Sequence, residues 1–228
     1  MKRLTLTGNQ LKLIALIAMT IDHVGMILLP QYLFLRIIGR LAFPIYAYMI
    51  AEGCRYTRNI FKYLGTMAAV ALLCQVVSFA AIGSLYQSVL VTFSLSVLVI
   101  LLIKNAGQKK NAFSYLLLGL GIAGVFFVTK LLPELLPGTD FGVDYGFVGV
   151  MLPVLVYLAK DRRQAMAFTA ICLVLLAYGL GQVQWFGLLA LPLLWLYNGK
   201  RGAYGMKYLF YIYYPAHLAA IYLLQYVL

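Results

Sequence analysis

The chain has 228 residues, of which 64% are hydrophobic, 14% aromatic and only 11% charged, where a soluble domain carries about 25% charged residues. A soluble fold of this size cannot hide so much apolar surface, so lipid must cover the rest. The net charge of +12 would on a soluble protein point to nucleic acid; here the cations sit in short loops between apolar runs, the pattern of cytosolic loops in membrane proteins, and no nucleic-acid partner is expected.

A span needs roughly 20 mostly apolar residues. Such stretches fall at 9–30, 32–53, 60–82, 85–104, 111–132, 141–159, 163–180, 182–198 and 206–227. Backbone groups in hydrocarbon must bond within their own segment, and continuous apolar runs lack the alternation of a membrane barrel, so each is predicted to be a helix. The first has no small-residue cleavage site after it and reads as a retained span.

The loops between these stretches alternate in charge. Lys2, Arg3 and Lys12 flank the first; Arg55, Arg58 and Lys62 follow the second; Lys104, Lys109 and Lys110 follow the fourth. Lys160, Arg162 and Arg163 follow the sixth, and Lys200, Arg201 and Lys207 the eighth, whereas the other loops hold Lys130 and the acids Glu134 and Asp140. The expected architecture is an all-α, polytopic helical bundle, a single domain over 1–228 with nine transmembrane helices, N-terminus in the cytosol and C-terminus outside.

Along the spans, most residues are bland. Cys54, Cys74 and Cys172 share no metal-like spacing and read as small apolar packers, and no metal is expected. Gly119, Gly121 and Gly124 match GxGxxG, but that fingerprint needs a preceding strand. In the middle of the fifth span they predict close helix packing instead. Glu52 beside Arg55 and Arg58 reads as a surface ion pair.

What remains are ionisable groups inside or at the edge of apolar stretches: Asp22, His23, Arg36, Arg40, Asp144 and His217. Each costs at least ~2.5 kcal/mol near the bilayer centre, so each is a functional-site hypothesis. At ~1.5 Å per residue, His23 lies roughly 20 Å above the cytosolic start of its span, His217 roughly 15 Å and Arg40 roughly 18 Å. Three polar side chains from three helices share one level. Arg36 lies one turn from Arg40 on the same face, with Asp144 the closest acid to it in depth. Asp22 and His23 are adjacent and point about 100° apart, so one is expected to face a pocket and the other a neighbouring helix. An arginine near a helix end can instead snorkel to the interface. Pro44 and Pro215 are expected to loosen their helices near the same level.

The stretches LKLIALIAMTIDHVG (11–25), LRIIGRLAFPIYAYMIAEG (35–53), VDYGFVGVMLPVLVYL (143–158), YNGKRG (197–202) and KYLFYIYYPAHL (207–218) resemble the TraX family of bacterial membrane proteins. TraX proteins are linked to N-terminal acetylation of conjugative pilin and are similar to a wider group of transmembrane acyltransferases. The resemblance implies an acyl-CoA-dependent acyltransferase of the bacterial cytoplasmic membrane, with acetyl-CoA as donor and a membrane-associated or exported acceptor. The family pattern coincides with Asp22, His23, Arg36, Arg40, Asp144, Lys200, Arg201 and His217.

On that reading His23 is the candidate base, since an imidazole titrates near neutral pH. Arg40 and Arg36 are candidate oxyanion donors, with Asp22 and Asp144 supporting. His217 orients His23, binds the thioester carbonyl, or is itself the base. Asn198, Gly199, Lys200 and Arg201 form a glycine-bounded cationic turn for the phosphates of CoA, the glycines letting backbone N–H groups approach. The competing reading is a secondary transporter or proton-coupled carrier, for which buried His, Arg and Asp are equally apt; no pair of Gly/Pro-broken segments in two halves supports it.

Overall fold

A computed structural model describes residues 5–203 and 207–227 of the chain; Lys2 and Arg3, which enter the charge-alternation argument, lie outside them. The described residues are helical, with two isolated bridges and no strand. Eleven α-helices follow in order: α1 (Gly8–Ile27), α2 (Leu33–Gly39), α3 (Ala42–Tyr56), α4 (Ile60–Ile82), α5 (Val89–Lys109), α6 (Ala112–Phe126), α7 (Leu132–Leu135), α8 (Gly146–Leu158), α9 (Arg162–Leu180), α10 (Ala190–Trp195) and α11 (Lys207–Val227). Among the described residues, six helical segments are long and apolar enough to cross a membrane: 8–27, 33–56, 60–82, 89–109, 112–135 and 162–180. Segments 146–158 and 182–195 are apolar but shorter. The protein is a helical membrane protein, and helix lies on all nine apolar stretches.

Several stretches are less regular than their composition suggests. The second breaks at Arg40 and Leu41 into α2 and α3. Pro44 has no N–H to return to the Arg40 carbonyl one turn back, and the break falls there, as expected of a proline that loosens its helix; Pro215 lies inside α11. A π-turn at Phe127–Leu131 joins α6 to α7, and a 3₁₀ segment at Gln182–Leu189 precedes α10.

The chain forms two compact units, one of residues 1–49 and 159–228, the other of 50–158. In the second unit, Ser96 Oγ donates to the Val150 carbonyl at 2.8 Å and ties α5 to α8. Its two loops, 83–88 and 136–145, are joined by a parallel bridge between Gln87 and Val143. The Asp140 carboxylate clamps them, accepting from Ser84 Oγ at 2.6 Å and the Leu85 amide at 2.9 Å. Glu52 and Arg55 pair at 2.9 Å, but Glu52 is buried and Arg55 also donates to the Val156 and Tyr157 carbonyls at the end of α8. The pair is an interior brace where a surface contact was expected. Of the three glycines in α6, only Gly121 is packed, its missing Cβ leaving room for Leu102 of α5; Gly119 and Gly124 face open space.

In the first unit, α1 packs against α2 and α11. Thr7 caps α1, its hydroxyl accepting from Gln10 N–H at 3.3 Å while Gln10 Oε1 accepts from Thr7 N–H at 2.8 Å. Gly25 of α1 and Gly39 of α2 let the two backbones approach: a Cβ on Gly25 would stand 2.6 Å from Leu35 Cβ, and one on Gly39 would collide with the Asp22 side chain.

Candidate functional site

Asp22 and His23 stand on α1, Arg36 on α2, Arg40 just past its end and His217 on α11, all within the first unit. Asp22 turns toward α2. Arg40 Nη2 donates to both of its oxygens at 2.7 Å, and Arg36 Nη1 approaches Oδ2 at 3.0 Å and the Asp22 carbonyl at 3.3 Å. Arg40 Nε is committed to the Arg36 carbonyl at 3.2 Å. One carboxylate thus compensates two guanidiniums, and the triad carries a net charge of +1. The arginine pair that was expected to meet an oxyanion is anchored by Asp22. Arg40 is buried, whereas the Arg36 side chain retains 27% of its exposure. The acid that Arg36 takes is Asp22, one helix away. Asp144 belongs to the second unit, where its Oδ1 accepts from the Tyr86 hydroxyl at 3.3 Å.

His23 turns toward α11. Its Nδ1 lies 3.0 Å from Nε2 of His217, whose Nδ1 lies 2.9 Å from the Tyr213 carbonyl. Tyr213 stacks on the His217 ring at 5.2 Å and 12°, and Tyr214 meets both imidazoles edge-on, at 5.3 and 6.1 Å. His217 is buried and His23 half-buried, so His23 is the more accessible of the two rings. Asp22 and His23 both bond neighbouring helices, in different directions, as their 100° separation requires. Below them on α1, Thr20 Oγ1 donates to the Leu16 carbonyl at 2.9 Å; its proton is thereby used, so the Tyr213 hydroxyl donates to Thr20 at 2.8 Å.

The 197–202 turn lies against the start of α1. Leu6 and Tyr197 form a bridge, and the Lys200 and Arg201 carbonyls accept from the Gly8 and Asn9 amides at 2.8 and 2.9 Å. The Lys200 amide donates to Asn198 Oδ1 at 2.9 Å. Asn198 therefore shapes the turn, and the backbone of Lys200 faces inward. Gly199 (φ 74°) and Gly202 (φ 100°) adopt backbone angles that suit glycine. What the turn offers outward is the exposed side chains of Lys200 and Arg201.

Sequence reasoning assigned Lys12 only to the loop charges. It is half-buried on α1 and within electrostatic reach of Arg201. It precedes His23 by 11 residues, about three turns or ~16 Å, and so shares a helix face with it. The signal was the spacing, masked by the position near a span end. Among the described residues no group of three or more His, Cys, Asp or Glu stands close enough to hold a metal ion.

A family model described as "TraX protein" matches residues 7–225. The chain is 26% identical, over 96% of its own length and 96% of the other's, to the "Probable fimbrial assembly protein FimC, serogroup H1" of Dichelobacter nodosus. A shorter match, 53% identical over 38 residues (17% of this chain and 15% of the other), is to an uncharacterized protein of Rickettsia prowazekii (strain Madrid E). No solved structure matches.

Proposed function

This chain belongs to the TraX family, and from that premise we propose that it is a membrane-embedded acyltransferase of the bacterial cytoplasmic membrane, serving pilus or fimbrial assembly by moving an acetyl group from cytosolic acetyl-CoA to an amine or hydroxyl of a membrane-associated or exported acceptor. The observation that carries the proposal is the His23–His217 pair, at 3.0 Å in the apolar interior of the first unit and beside the Arg36–Asp22–Arg40 triad. The relative from Dichelobacter nodosus bears a fimbrial-assembly name, which agrees with a surface-filament acceptor.

In the proposed reaction the acceptor nitrogen or oxygen attacks the thioester carbonyl and its proton passes to an imidazole. The tetrahedral oxyanion then collapses, the carbon–sulfur bond breaks, and the proton is returned to the CoA sulfur. Charge, atoms and electrons balance without a further reactant. A dry site strengthens every electrostatic contact to the oxyanion, and Arg36 is the guanidinium with exposure left to make one. Asp22 holds both arginines in place. The donor's phosphates would meet Lys200, Arg201 and Lys12 at the cytosolic end of α1. From there the ~16 Å rise along one helix face to His23 is a distance an extended pantetheine arm can span. Nine crossings, with the N-terminus inside, would bring donor and acceptor from opposite sides.

The test supplies labelled acetyl-CoA to membrane vesicles exposing the cytosolic face and follows the label into protein, lipid and glycan fractions. The wild type transfers label; His23→Ala loses transfer by on the order of 100-fold or more while the protein is still inserted. Ala at both Lys200 and Arg201 raises the donor KM with less effect on kcat. Undiminished transfer by His23→Ala removes that residue from the site. Solute uptake by proteoliposomes with no acyl-CoA consumed favours a carrier.

A further inference from the structure

The hydrogen bonds around the two imidazoles fix more than their proximity. A carbonyl oxygen only accepts, so the contact between His217 Nδ1 and the Tyr213 carbonyl requires a proton on His217 Nδ1. A base must start neutral, and in neutral His217 the other nitrogen, Nε2, then carries a lone pair. That lone pair points at His23 Nδ1 at 3.0 Å. Neutral His23 must therefore hold its own proton on Nδ1, facing His217 and, one turn back on α1, the Met19 carbonyl, which also only accepts and stands to His23 as Tyr213 does to His217. His23 Nε2 is left unprotonated. The direction of the chain is set from its far end: Tyr213 carbonyl, His217, His23.

We infer that His217 is a positioning residue that locks His23 in the Nδ1–H tautomer and so delivers His23 Nε2 as the general base, with the Tyr213 carbonyl and ring holding His217. The inference deepens the acyl-transfer reading and rests on it for its consequence, though not for its structural content. When the acceptor is deprotonated, its proton bonds to His23 Nε2. The resulting imidazolium keeps its Nδ1–H on the His217 Nε2 lone pair, which disperses the positive charge. The Nε2 proton then leaves with the CoA sulfur, and both rings return to their starting state. His217 here fills the place that a buried carboxylate fills in a serine-protease triad, setting tautomer and stabilising the imidazolium without accepting the proton outright. The nearest carboxylate on α1, Asp22, is held by Arg36 and Arg40. The packing suits a fixed ring: Tyr213 covers one face of His217 at 5.2 Å and Tyr214 abuts both imidazoles.

The chain has only two histidines, so nitrogen NMR of the full-length protein with ¹⁵N-labelled imidazoles reads both tautomers directly. At a pH where both rings are neutral, the expected spectrum holds two protonated Nδ1 and two unprotonated Nε2 resonances, the reverse of the Nε2–H form that free imidazoles favour. An Nε2–H tautomer on either ring overturns the inference whether or not the protein transfers acyl groups. His217→Leu should release His23 into a mixture of tautomers and lower kcat by on the order of 100-fold, with the donor KM little changed. His217→Gln, whose amide oxygen can still accept from His23 Nδ1–H, should restore a large part of kcat. If Gln is as inactive as Leu while His23 keeps its tautomer, His217 is the base and the assignment is wrong. If the spectrum is as expected but labelled acetyl-CoA yields no product, the acyl-transfer reading fails and the tautomer assignment stands.

Discussion

Asp22 shows how a single side chain organises its surroundings. A carboxylate in an apolar bundle survives only if its charge is matched, and Arg40 matches it with two bonds of 2.7 Å from one nitrogen. That contact requires α2 to come unusually close to α1, and the residue that permits it is Gly39, where any Cβ would run into Asp22. Gly39→Ala should therefore cost about 1–3 kcal/mol as an overpacked contact and displace Arg40. Gly119→Ala, in open space on α6, should be neutral or stabilise by up to ~1 kcal/mol through helix propensity. Thermal unfolding of both variants in the same lipid or detergent checks the contrast; equal midpoints would mean that α1 and α2 are not held this tightly. The two histidines were legible from the sequence because both lie at similar depth along apolar helices that start beside cationic loops. The Asp22–arginine triad was not, since depth matching cannot say which of two acids lies across from an arginine. Lys12 was visible in its spacing from His23 but hidden by its place beside the other terminal cations.

At the level of elements, apolar content located helices well and their interruptions poorly. The 32–53 stretch is continuous in hydrophobicity, yet it breaks at Arg40 and Leu41, one turn before Pro44 and next to the bonds that Arg40 makes to Asp22 and to the Arg36 carbonyl. The 3₁₀ segment before α10 likewise precedes a proline, Pro192, in the first turn of that helix, and α8 starts only at Gly146, where Tyr145 and Gly146 are both at positive φ. The paired loops of the second unit carry a pH signature. Ser84 and Leu85 hold the Asp140 carboxyl below its usual value of 3.8, because both donate to its charged form. A group with a lowered folded pKa stabilises above the unfolded value and loses that contribution as pH falls through the folded one. Hydrogen exchange at the Leu85 amide should therefore lose protection as the pH drops below the ordinary carboxylate range. Asp140→Asn should remove that dependence; a pH-dependent loss that persists in the variant would place the titration elsewhere.

On the scale of the whole molecule, the composition sets the class and the structure bears it out: among the described residues six helical segments are long and apolar enough to cross a bilayer, and the remaining apolar stretches are also helical. The site that the first unit assembles comes from its first, second and last helices, residues nearly 200 positions apart, which is why no local motif announces it. Its central claim is that an acyl donor enters beside Lys200 and Arg201 and presents its thioester to His23. The most direct measurement is a structure in lipid with a non-reactive acyl-CoA analogue bound. The account predicts the thioester beside His23 Nε2, with room between that nitrogen and the acyl carbonyl carbon for one acceptor atom, and with phosphates against Lys200, Arg201 and Lys12. A thioester lying away from both imidazoles, or a nucleotide bound at the opposite end of α1, would contradict it.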